Sequence, residues 1–140
     1  MKKLVIFGIV SILLLPLLVS GCGGGVNTIE LSLDDFTSEN NIVKSIEIGI
    51  SSSLIVKLGS NPTTGYDWED VEISDPAVIY QTSRNFLGPE DTSLVGAGGT
   101  GVWAFVPTNF GYCTLNFSYG QSWEGGEKDA FTLTINVTVK

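Results

Sequence analysis

The chain has 140 residues, with seven Lys or Arg against fifteen Asp or Glu, and no His. Without His there is no Ser-His-Asp triad, no Cys-His dyad and no histidine metal site. The net charge of -8 argues against a nucleic-acid partner, which is held mainly by Lys and Arg neutralising phosphates. Seventeen Gly, five Pro and only 16% charged residues point to strands and turns, and to a protein that binds over one that catalyses.

In chain order, Met1 to Gly21 reads as a targeting segment. Lys2 and Lys3 form a basic n-region, Leu4 to Leu18 is an apolar run, and Ser20, Gly21 and Cys22 follow. The run is short for a transmembrane helix, which needs about 20 apolar residues. Val19-Ser20-Gly21-Cys22 resembles the lipobox of prokaryotic lipoproteins. The resemblance implies cleavage before Cys22 and a diacylglycerol on its thiol, since two acyl chains anchor stably where one does not. The expected organisation is a signal peptide at 1–21, a lipidated Cys22 with a flexible tether at 22–28, and one domain at 29–140. Gly23-Gly24-Gly25 opens the tether. The expected location is extracytoplasmic, anchored to the membrane through the N-terminal lipid.

Period-two alternation recurs from there on. Ile29, Leu31 and Leu33 form one run, followed by Ile46, Ile48 and Ile50, then Leu54, Val56 and Leu58. Asp34 to Asn41 reads as a short helical turn or a loop. Tyr66 and Trp68 flank Asp67, and Trp103 and Phe105 mark another short strand. Cys113, Leu115, Phe117 and Tyr119 share one face. With Cys22 lipidated and no His to activate it, Cys113 reads as a buried apolar residue. Phe131, Leu133, Ile135, Val137 and Val139 alternate with Thr132, Thr134, Asn136 and Thr138, a strand with one buried and one solvated face. The predicted fold is all-β: an immunoglobulin-like antiparallel β-sandwich of about seven or eight strands. A barrel of OB or jelly-roll type fits the same pattern.

Three loops stand apart. Asn61-Pro62-Thr63-Thr64-Gly65-Tyr66 is stiff at both ends, because Pro62 restricts itself and Asn61 while Gly65 accepts a positive φ. Two uncharged hydroxyls sit at its tip. Gly96-Ala97-Gly98-Gly99, followed by Thr100 and Gly101, is nearly bare backbone that a partner can approach closely. It is no phosphate loop, since no Lys-Ser or Lys-Thr follows and Trp103 to Val106 reads as a strand. Gln121-Ser122-Trp123 lies between the last two strands, with Trp123 either exposed at the tip or folded back on the sandwich edge. In a sandwich, alternate connections fall at the same end, so the three loops are expected to cluster.

These segments resemble the chagasin family of cysteine-protease inhibitors: Asn61 to Tyr66 with Trp68 two residues on, then Gly96 to Gly99 before an aromatic strand, then Tyr119-x-x-x-Trp123-Glu124. The resemblance spans roughly Ile29 to Lys140. In the third segment Gln121-Ser122 stand where the family usually has Arg-Pro, which removes a cation and some stiffness. The resemblance implies a reversible inhibitor of papain-like cysteine proteases, with no catalytic residue, metal or cofactor, and a monomer is expected. The Asn61 to Tyr66 loop would enter the cleft, Thr63 and Thr64 would bond near the catalytic groups, and Gly96 to Gly99 with Gln121, Ser122 and Trp123 would grip the flanks. A second reading is a non-catalytic adhesion or scaffold module of an envelope lipoprotein. Asp67, Glu69, Asp70 and Glu72 match no EF-hand spacing. They read more simply as solubilising charge than as paired catalytic carboxylates or a Ca²⁺ site.

Overall fold

The computed structural model describes residues 24–93 and 95–140. The signal-peptide and Cys22 expectations fall outside them. Among the described residues nine strands form: β1 Val26–Leu31, β2 Asn41–Ile48, β3 Ser53–Ser60, β4 Tyr66–Trp68, β5 Glu72–Ile73, β6 Ile79–Leu87, β7 Gly99–Pro107, β8 Gly111–Gln121 and β9 Phe131–Val139. One short helix, α1 Asp35–Ser38, links β1 to β2. One sheet has the order β1-β3-β7-β6; the other has β2-β9-β8-β4, with β5 also on β8.

The two sheets enclose one core. Leu54, Val56 and Leu58 of β3 and Trp103 and Phe105 of β7 face Leu115 and Phe117 of β8 and Leu133, Ile135 and Val137 of β9. Trp103 meets Phe117 edge to face with ring centroids 5.4 Å apart, a geometry aromatic pairs prefer. Each such side chain contributes roughly 1.5–3 kcal/mol by leaving water. Cys113 is buried in this core as a free thiol, within 3.6 Å of Ser74 Oγ.

The all-β sandwich is as expected, but its pairing is mixed. β1 runs parallel to β3, and β2 parallel to β9. The cause is the α1 crossover. The chain runs along β1 in one sheet, crosses to β2 in the other, and returns along β3, so β1 and β3 must point the same way. Alternation cannot reveal this, because it is the same in either direction. β1 also begins inside the stretch expected as tether: Val26, Asn27 and Thr28 pair with Ser53, Leu54 and Ile55. Even Gly25 is engaged, its C=O accepting from Ser53 N–H at 2.9 Å. β6 has no counterpart among the expected strands. It is an edge strand with an irregularity between Gln81 and Ser83, and beyond Ile79 nearly all of it is exposed.

Candidate protease-binding edge

Register alone brings the three loops to one end. Ser60, the last residue of β3, pairs with Gly99, the first of β7. Leu87, the last of β6, pairs with Thr100. Tyr66, the first of β4, pairs with Gln121, the last of β8. The three intervening connections must leave the sandwich together.

The first loop is braced from within. Pro62–Thr64 form a single 3-10 turn, which Gly65 closes at φ 84°. Thr64 N–H donates to Asn61 C=O at 3.1 Å and Gly65 N–H to Pro62 C=O at 3.0 Å. Thr64 Oγ1 donates to the same Asn61 carbonyl at 2.7 Å, and Thr63 Oγ1 to Asn61 Oδ1 at 2.6 Å. Both hydroxyl protons are thus used inside the loop, and the oxygens retain acceptor capacity toward a partner. Below the loop, Tyr119 OH accepts from Asn61 N–H at 3.1 Å. Tyr119 is itself stacked between Tyr66 and Phe131. Trp68, under the same end, is buried and donates Nε1–H to Gly59 C=O at 2.9 Å.

The other loops lean on the first. Asn61 Nδ2 donates to Gly96 C=O at 3.1 Å. Gly96 has φ 80°, in the region only glycine enters cheaply. A Cβ on Gly98 would stand 2.9 Å from Ser60 O, so this glycine lets two backbones meet. Gly99 is already part of β7, and Ala97 is half-buried beside it. On the outer part of this loop, Asp91 Oδ1 accepts from Ser93 Oγ and Ser93 N–H, which holds its carboxyl below the usual value.

Trp123 combines both expected placements. It is 50% exposed, yet its ring covers Gly65, where an added Cβ would come within 2.6 Å of it. Gln121 closes the third loop. Its N–H donates to Glu127 C=O at 2.7 Å, its Oε1 accepts from Glu127 N–H at 2.9 Å, and its carbonyl accepts from Lys128 Nζ. Ser122 is exposed. The loop is tied to the first one by Tyr66 OH, which donates to Glu127 Oε2 at 2.5 Å. That bond to a carboxylate holds the phenol proton and raises the Tyr66 pKa above its ordinary value. Sequence reasoning misses Tyr119, Glu127 and Lys128 as site residues. Tyr119 reads as a core-facing residue opening the third segment, with no sign that it holds the first loop, and nothing local in the sequence marks Glu127 as the partner of Tyr66.

Two carboxylates of the acidic stretch are engaged within the fold. Asp67 Oδ1 accepts from Ser60 Oγ at 3.0 Å and Trp68 N–H at 2.8 Å, and Asp70 pairs with Arg84 at 2.9 Å. Glu69 and Glu72 are exposed.

The two-sheet sandwich thus carries a braced turn at one end, with the glycine loop and the tryptophan loop resting on it. Residues 47–135 match the profile of the chagasin family peptidase inhibitor I42, and the chain belongs to that family. It is a peptidase inhibitor and not an enzyme. Chagasin from Trypanosoma cruzi is 29% identical over 92 residues, covering 64% of this chain and 84% of chagasin. Amoebiasin-2 from Entamoeba histolytica is 25% identical over 97 residues, covering 68% of this chain and 76% of that protein. Among solved structures, the Entamoeba histolytica cysteine protease inhibitor EhICP2 superposes with a TM-score of 0.66 at 19% identity, covering 83% of this chain and 96% of that one. PbICP-C, solved in complex with falcipain-2, superposes with a TM-score of 0.60 at 15% identity, covering 81% and 99%.

Proposed function

We propose that the protein is a reversible inhibitor of papain-like cysteine proteases, and that it blocks their active-site cleft with the edge formed by its three loops. Family membership supports the inhibitor class, and the complex of PbICP-C with falcipain-2 supports the kind of partner. The observation that carries the mode of action is the internal bracing of Asn61 to Gly65. A wedge already held by its own hydrogen bonds loses little entropy on docking. It fills the cleft without offering a peptide bond in attack geometry. Gly96 to Gly99 allow close approach on one flank, and Trp123 supplies a large apolar contact on the other. The enzyme provides the Cys and His of the catalytic pair.

The second part of the proposal concerns location. Cys22 carries a diacylglycerol after removal of residues 1–21, and the inhibitor works as an extracytoplasmic, membrane-anchored monomer. The lipobox-like Val19-Ser20-Gly21-Cys22 supports this. Residues 22–140 with Cys22→Ser, titrated against papain with a small substrate, test the inhibitory reading. Stoichiometric or near-stoichiometric loss of activity at micromolar inhibitor is expected. Full activity at that concentration refutes it.

A further inference from the structure

We propose that the end of the sandwich opposite the loops is a membrane-facing base, where Phe110 and Tyr112 enter the lipid headgroup layer. This rests on the reading of Cys22 as a lipid anchor, and it concerns a surface that protease inhibition does not use.

Topology defines the base. Val26 pairs with Ser53 at the start of β3, and β7 ends nearby at Pro107, which pairs with Ile79. The β7–β8 turn follows, and Gly111 and Tyr112 pair with Val139 and Thr138 at the end of β9. The start of β1, the β7–β8 turn and the end of β9 therefore share one end. The eleven residues of β8 separate it from the loops, roughly 33 Å at about 3.3 Å per residue.

This end exposes apolar surface that the core does not use. Tyr112 is 80% exposed, Phe110 68% and Val26 70%. Aromatic side chains of this kind are favoured at membrane interfaces, where ring and headgroup layer suit each other. Charge points the same way. Among the carboxylates, Glu47 and Asp75 lie at this end, and Glu47 is paired with Lys140 at 2.6 Å. Asp34, Asp35 and Glu39 lie on the β1–β2 crossover, and Glu90, Asp91, Glu124, Glu127 and Asp129 lie on the second and third loops, all at the far end. A strongly acidic protein thus turns its least acidic end toward the chain start.

The covalent reach makes the lipid bilayer the occupant. Only Gly23 stands between Cys22 and Gly24, so their Cα atoms are at most about 7.6 Å apart. Gly24 itself lies against the backbone of Ser51, in the turn between β2 and β3. Acyl chains on Cys22 would therefore hold the base at the headgroups, a layer of roughly 5–8 Å per leaflet. The inhibitory loops would then point away from the bilayer, open to an incoming protease.

The test uses the processed, membrane-reconstituted full chain in phosphatidylcholine vesicles containing brominated lipid. Phe110→Trp and, separately, Tyr112→Trp introduce a reporter at the base, while the native Trp68, Trp103 and Trp123 lie in the core or at the far end and supply the background emission. Each variant is expected to gain a blue-shifted emission component, about half quenched by bromines near the glycerol end, as side chains seated roughly 5–10 Å into the boundary are. Emission from the wild-type chain should not be quenched. Mass spectrometry of the N-terminal peptide reads the modification of Cys22 independently. A diacylated Cys22 with both reporters unquenched overturns the orientation alone. An unmodified Cys22 overturns the anchor and the orientation with it, and leaves the inhibitor reading intact.

Discussion

The first and second loops reach the same edge by opposite means. Asn61 to Gly65 holds its shape through its own hydrogen bonds, whereas among the described residues the connection from Gly88 to Gly98 carries the Asp91–Ser93 bonds on its outer part and meets the first loop at Gly96 and Gly98. A wedge that must enter a cleft needs its shape in advance. A flank that only closes over a partner's surface can adapt. The two should therefore respond very differently to substitution.

Gly65→Val gives the largest expected effect. It forces a β-branched residue to φ 84° and drives its side chain into the Trp123 ring. Strain of roughly 3 kcal/mol would weaken papain inhibition about a hundredfold. An unchanged inhibition constant would show that wedge shape is not what binds. Thr64→Asp and Trp123→Ala follow, each expected to cost on the order of 1–2 kcal/mol in binding, the first by charging the tip and the second by removing the flank contact. Asn61→Ala removes the bonds to Gly96 O and Thr63 Oγ1, and a loss of about 1 kcal/mol, roughly fivefold, is expected. The same titration with Gly88→Ala should change the constant by less than about twofold, because an added Cβ there meets nothing and surface changes of this kind are usually near neutral. If Gly88→Ala proves as harmful as Asn61→Ala, the contrast between the loops is wrong.

The smallest effect is expected at Tyr66. Its pKa is raised by the bond to Glu127, so the protonated, bonded form is fully present below the ordinary tyrosine value of 10.0 and is lost as pH rises through the raised value. Inhibition by the wild-type chain should fall on that alkaline limb, and Tyr66→Phe should abolish the limb while changing neutral-pH inhibition little. Identical alkaline profiles for the two would remove Tyr66 from the edge.

Much of the fold was legible because buried strands alternate. Leu54 to Leu58, Cys113 to Tyr119 and Phe131 to Val139 bury one face each, and a two-residue period records that directly. β6 was illegible for the converse reason. As an edge strand with most side chains in solvent, it carries no apolar period, and its pairing with β7 comes from backbone hydrogen bonds that any sequence can make. The early start of β1, at Val26 to Thr28, was illegible because three residues are too few to show a period.

The sequence by itself determined the faces of the buried strands, the need for glycine at residue 65, the restriction that Pro62 places on its loop, and the absence of His. These are local properties of residue type and backbone freedom. Tertiary structure alone decided the parallel pairing of β1 with β3 and of β2 with β9, the closing of Trp123 over Gly65, the hold of Tyr119 on Asn61 and the bond from Tyr66 to Glu127. Each joins residues far apart in the chain, at distances that only the packing of two sheets makes short.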